Sequence, residues 1–250
     1  MLSLCKRDGC DATSAVTGNV RRIGNFTSLF FIRGVRHIDV VNDLGGRDPL
    51  AMVVRVSDEK VDLVESLRRL NEAVLGKVGG LEEYDLRRPL TATGTNLLGI
   101  VKHLGCVQSG YFGDVFGRPW TEPMPWLGEG AEINADMFAT AAETSDQVVD
   151  LYRRSWVHAE QTFAVTDLDD TGMVAWWPPE RRHPTLRTVL LHMTVETARH
   201  AGHIDIIREM VDGEAGRFAG DPSMPASDEI DWPAYVAKVE AAALAASTGS

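Results

Sequence analysis

Leu190-Leu191-His192-Met193-Thr194-Val195-Glu196-Thr197-Ala198-Arg199-His200-Ala201-Gly202-His203-Ile204-Asp205-Ile206-Ile207-Arg208-Glu209 reads as a single long helix. Each residue of an α-helix turns the side-chain direction by about 100°, so His192, Glu196, His200 and His203 project within roughly 80° of one another. Val189, Val195, Ile206 and Ile207 mark the flanking apolar surface. Three imidazoles and a carboxylate on one stripe are costly to bury without partners. Imidazole nitrogen and carboxylate oxygen suit zinc, nickel, iron or manganese. The helix is therefore expected to supply part of a metal site, with other elements supplying the remaining ligands and the cavity.

Outward from this helix, the signals are helical in both directions. Thr185 is placed to cap its start and Gly213 to end it. Upstream, Thr144-Ser145-Asp146-Gln147 is a capping box that opens a helix to about Phe163, with Val148, Leu151, Tyr152, Ser155, Trp156 and Ala159 inward. Before it, Leu97, Leu98, Val101, Leu104, Val107, Tyr111 and Val115 follow helical spacing, which predicts a helix from about Asn96 to Phe116 capped by Thr95 or Thr93. The first helix is expected from about Asp58 to Gly79, with Ser57 as N-cap and Gly79-Gly80 as the stop. Downstream, residues 214–228 form a Gly/Pro/Ser linker to a weak final helix, Ala234–Ala246.

Four substantial helices joined by long connections predict an all-α fold, a four-helix bundle with long crossover loops. The loops at Gly117–Asn134 and around Trp176-Trp177-Pro178-Pro179-Glu180-Arg181-Arg182 are rich in aromatic residues. Connections of that length often line sites. Residues 52–215 are assigned to the bundle and 216–250 to the linker and tail helix. Residues 1–51 contrast with the rest: they carry net +2 and no glutamate, and the remainder carries −13. They are expected to be a disordered extension or the product of an upstream start codon. The alternative is a small appended unit using Ser28–Ile32 and Val35–Val41 as strands.

Composition excludes several functions. A net charge of −11 over 250 residues argues against nucleic-acid binding, which needs basic patches. No apolar run approaches the roughly 20 residues of a membrane span. Leu29-Phe30-Phe31-Ile32 is too short for a signal-peptide core. Cys5, Cys10 and Cys106 form no C-x2-C pair and leave one thiol over in any disulfide scheme. A cytoplasmic location with reduced thiols is expected.

Glu196 and His200 are one helical turn apart and can reach one ion. A third ligand has to come from another helix. His103 is the leading candidate, as the one histidine of the second helix, although a lone helical histidine is more often a satisfied core residue. His158 of the third helix is the rival, on that helix's polar side. His192 and His203 are assigned supporting roles, orienting ligands or packing beside them. Cys106, one turn after His103, is read as a small buried residue before a soft ligand or nucleophile. Trp120, Trp126, Trp176 and Arg181 are candidates for the substrate pocket, and Arg181, Arg182 and Arg187 otherwise form a charged edge.

His103-Leu104-Gly105-Cys106-Val107-Gln108-Ser109-Gly110-Tyr111-Phe112, the Trp176–Arg182 loop and Leu191-His192-Met193-Thr194-Val195-Glu196-Thr197-Ala198-Arg199-His200-Ala201-Gly202-His203 together resemble the DinB-like (YfiT-like) metalloenzyme superfamily. The resemblance is nearest to its actinobacterial mini-circle branch and covers about residues 56–215. It implies a divalent metal held by a histidine on the second helix and a His-x3-His pair on a later one. His103 and His200 match that pattern. Glu196 stands where the first histidine of the pair is expected, and the related mycothiol-dependent maleylpyruvate isomerases carry the same Glu-x3-His version. His203 stands where many relatives have glutamine.

The implied activity is a metal-dependent thiol S-transferase or isomerase, joining a low-molecular-weight thiol, with mycothiol expected, to a small electrophile. The implied metal is zinc first, with nickel, iron or manganese as alternatives. A metal-dependent hydrolase and a non-enzymatic, stress-related metal-binding protein are the other readings. Many members of the family dimerise, and the sequence fixes no interface.

Overall fold

A computed structural model of the chain describes residues 58–226 and 228–248, together with the backbone of four short strands nearer the start. The chain divides into two compact units, Met1–Val61 and Asp62–Ser250. In the first, β1 (Arg21–Ile23) pairs antiparallel with β2 (Phe26–Leu29), and β3 (Ile38–Asn42) pairs antiparallel with β4 (Met52–Val56). The ribbon of β3 and β4 runs in register from Ile38 opposite Val56 to Asn42 opposite Met52. β2 and β3 overlap the two runs that the alternative reading takes as strands. The remainder of residues 1–57, including Ser57, lies outside the described residues.

The second unit is the expected all-α bundle. Its helices are α1 (Glu59–Lys77, entering from the first unit), α2 (Glu83–Arg87), α3 (Leu97–Phe112), α4 (Ser145–Val165), α5 (Leu186–Asp212) and α6 (Trp232–Thr248). α3 is buried on almost every side, as its run of Leu97, Leu98, Ile100, Val101, Leu104, Tyr111 and Phe112 requires of a central helix. It packs against α4 and α5. Gly105 lets α4 approach closely, since a Cβ there would lie 3.4 Å from the Tyr152 Cα. One end of the core joins Val74, Leu98, Val101, Val148 and Ile204; the other joins Leu67, Phe112, Phe163, Val189 and Met193.

Three details differ from expectation. Asn96, rather than Thr95 or Thr93, caps α3: its Oδ1 accepts from the Gly99 N–H at 2.7 Å. α3 stops at Phe112 because Gly113 turns the chain into a 3-10 turn over Asp114–Phe116. A Cβ at Gly113 would meet the Ser109 carbonyl at 2.3 Å, so only glycine fits that turn. The polar stretch after α1 contains α2, whose Arg87 donates to the Thr140 and Glu143 carbonyls at 3.0 and 2.6 Å and anchors the long loop.

Other boundaries follow the sequence. The Thr144/Gln147 capping box forms, Thr185 accepts from the Thr188 N–H at 3.3 Å, and Gly213 closes α5 with φ +80°. α6 is exposed along its length, consistent with a weak tail helix. No helix among the described residues is long and apolar enough to cross a membrane.

Candidate metal centre

α3 and α5 run antiparallel, because His103 lies against His200 at one level and Tyr111 against His192 at another. At the first level His103, Glu196 and His200 come together, each half-buried, with ligand atoms all within 4.8 Å of one another. The Glu196 Oε1 lies 3.6 Å from the His103 Nε2 and 3.1 Å from the His200 Nε2. Two ligands about 2.0–2.1 Å from one tetrahedral ion are about 3.3 Å apart. The two separations fall on either side of that value.

The donor chemistry of the cluster also fits a cation. The Asp136 Oδ2 lies 2.6 Å from the His103 Nδ1. A carboxylate only accepts, so the shared proton belongs to Nδ1, and Nε2 is the ring nitrogen turned toward Glu196. At His200, burial and then the neighbouring His103 lower the imidazole's affinity for a proton, while Glu196 opposes them. The ring is therefore held neutral, the form that binds metal. Its Nδ1 is buried and has no hydrogen-bond partner. Three protein donors leave a fourth tetrahedral position for an exogenous ligand.

The other predicted residues separate into distinct places. His203 is exposed and stands edge-on to His200, with ring centroids 5.4 Å apart. His192 makes no hydrogen bond to the three clustered residues; it packs against Tyr111 and Trp177, at 4.8 and 5.2 Å between centroids. Trp176 and Trp177 both donate to the Tyr111 hydroxyl, at 3.2 and 2.9 Å, and Arg181 stacks over Trp177. These aromatic groups line the α3/α5 seam eight residues from the His103 level, about 12 Å along the helices.

Trp120 and Trp126 instead share a cleft of about 330 Å³ against Val148 and Leu151 of α4. The three predicted pocket tryptophans thus form two groups. His158, the rival ligand, bonds the Arg118 carbonyl at 2.6 Å and packs on Trp120. Cys106 accepts from the Trp126 indole at 3.1 Å, and burial pushes its thiol up to about 11.

Sequence reasoning missed Asp136. It belongs to no periodic segment, and the one signal available was the length of the loop that carries it.

The fold and site define a class: a small helical bundle with a two-histidine, one-carboxylate cluster, which could hold a metal ion, between its central helix and its longest one. The chain belongs to the mycothiol S-transferase family, whose model matches residues 62–213. That match bears out the DinB-like resemblance and implies a thiol partner. A search of curated proteins found no match.

Proposed function

We propose that the protein is a divalent-metal-dependent S-transferase that joins mycothiol to a small electrophile in a reduced, cytoplasmic setting. The observation that carries the reading is the convergence of His103, Glu196 and His200, with donor atoms spaced for one tetrahedral ion, in a chain of this family. These three residues are the proposed ligands, and zinc is the ion their donor set suits first. A divalent cation held there supplies the charge that keeps a bound thiol in its reactive, deprotonated form.

The chain's own residues supply the rest. Burial holds His200 neutral, Asp136 orients His103, and Glu196 provides the single negative charge of the ligand set. The Tyr111, Trp176 and Trp177 wall, edged by Arg181, gives the bulkier parts of the reactants an aromatic surface continuous with the seam.

The test is to incubate zinc-loaded protein with mycothiol and monochlorobimane. Conjugation above the uncatalysed rate is expected. No rate above background, with zinc occupancy verified by elemental analysis, overturns the reading. Turnover of an ester or amide substrate without thiol would assign the site to hydrolysis instead.

A further inference from the structure

The loop between α3 and α4 reaches the candidate metal centre through four consecutive residues, and α3 grips each of them. The Lys102 Nζ donates to the Ala135 and Phe138 carbonyls at 3.1 and 3.0 Å. The Asn96 side-chain amide donates to the Met137 carbonyl at 3.2 Å. Asp136, between them, accepts from the His103 Nδ1 at 2.6 Å. Gly99 makes room for this contact, since a Cβ there would fall 1.8 Å from the Met137 oxygen. Lys102 is itself held by Glu143, which also accepts from the Thr140 N–H at 2.8 Å and so fixes the outgoing end of the segment.

The arrangement is more than loop anchorage. Lys102 is 1% exposed, and burying an ammonium group is costly unless its donors are satisfied. Its partners here are carbonyls on both sides of Asp136, so the clamp fixes the one residue of the segment that faces a candidate ligand. A carboxylate on a ligand histidine's far nitrogen fixes the tautomer and ring orientation, and makes the near nitrogen a stronger donor.

We propose that Asp136 is the positioning residue for His103, and that docking of residues 135–138 on α3 is thermodynamically coupled to metal binding at His103, Glu196 and His200. The inference rests on the metal reading above and adds to it. Coupling of this kind is reciprocal: if the docked segment tightens metal binding, metal binding must tighten the docking.

Two measurements on the full chain, both independent of catalysis, test this. The first is zinc affinity by chelator competition. D136A is expected to bind zinc about 10–100-fold more weakly than the wild type, the range for an outer partner of a ligand histidine. D136N, which keeps an acceptor but not its charge, is expected to fall between the two. G99A touches no ligand, yet should weaken zinc binding by displacing Met137 and with it Asp136. The double variant D136A/G99A should be no weaker than D136A, because both changes remove the same contact.

The second measurement is amide hydrogen exchange with and without zinc. Exchange across residues 131–143 should slow when zinc binds to the wild type and should not change in D136A. D136A that binds zinc within twofold of the wild type, or that keeps the zinc-dependent protection, overturns the proposal even if G99A fails to fold. A wild-type chain that takes up no zinc overturns the metal reading, and this inference falls with it. A wild-type chain that binds tightly beside an equally tight D136A overturns this inference alone.

Discussion

Lys102 and His103 are consecutive residues of α3 that reach the same loop, and their surroundings are of opposite kinds. The three N–H donors of Lys102 meet the Ala135 and Phe138 carbonyls and the Glu143 carboxylate, and the Trp126 ring lies 4.1 Å away. Donors and acceptors balance, and charge is neutralised. At His103 the balance fails: its Nε2 lies 3.6 Å from the Glu196 carboxylate, too far for a hydrogen bond, and the second imidazole, of His200, leaves a buried nitrogen without a partner. A saturated group beside an unsaturated one separates structural polarity from functional polarity better than burial does, because Lys102 is the more buried of the two.

The largest expected effect tests the unsaturated side. H200A or E196Q should weaken zinc binding by more than about 100-fold, beyond what an orienting residue alone commands. Chelator competition reads this directly, and both variants should remain folded by circular dichroism. Retention of wild-type affinity in either would mean that the cluster is only a polar seam.

The saturated side should respond in stability. K102M leaves two carbonyls unpartnered and Glu143 with only its Thr140 hydrogen bonds, and breaking a buried ion pair costs about 3–5 kcal/mol. A loss near the low end, about 3 kcal/mol, is expected in urea denaturation because Glu143 keeps some exposure. Burial pushes the Glu143 carboxyl up, but the hydrogen bonds from Lys102 and Thr140 outweigh it and hold the group below the usual carboxylate range. A carboxyl lowered by folding stabilises the protein above its unfolded value, about 4.3, and that contribution is lost as pH falls through the folded one. K102M should therefore show a shallower acid-side loss than the wild type.

A smaller effect of opposite sign checks whether an unpartnered atom marks function by itself. The Tyr152 hydroxyl is buried in the core without a hydrogen bond, and burial pushes its ionisation up. Y152F removes that group and keeps the ring, so stability should be unchanged or rise by up to about 1 kcal/mol, with zinc affinity unaltered. A destabilised Y152F would show that an isolated orphan can also be structural.

The smallest effect is expected at His192. Burial, and then the Arg181 charge against the favourable pull of Glu196, lower its proton affinity. A histidine that is harder to protonate when folded contributes a loss of stability as pH falls below its unfolded value of about 6.5. H192F should flatten the stability profile on that side while keeping the ring contacts with Tyr111 and Trp177. An unchanged slope would place the imidazole outside the folded-state coupling.

Most of the bundle was legible because it is built from local rules. The capping box at Thr144 and Gln147, the Thr185 cap and the left-handed Gly213 each act within one or two turns, and the sequence states them outright. Glu196 and His200 were legible for the same reason, being fixed by the period of one helix. His103 required a partner helix, and its residue type narrowed the choice. Asp136 was not legible, because nothing local ties an acid in a long loop to a histidine 33 positions earlier. The contact exists only once Lys102, Asn96 and Gly99 have folded that loop against α3. The grouping of Trp120 with Trp126, and of Trp176 with Tyr111, was hidden in the same way, since loop residues carry no periodicity from which a shared surface can be read.

Cys106 has a chemical consequence for a protein that brings thiols and electrophiles together. Its thiol is buried, hydrogen-bonded by Trp126 and pushed up to about 11, so almost none of it is thiolate at neutral pH. The thiolate is the form that is alkylated or enters mixed disulfides. The bundle thus keeps its own sulfur out of the chemistry proposed one helical turn away, and should survive repeated exposure to alkylating reactants without modifying itself.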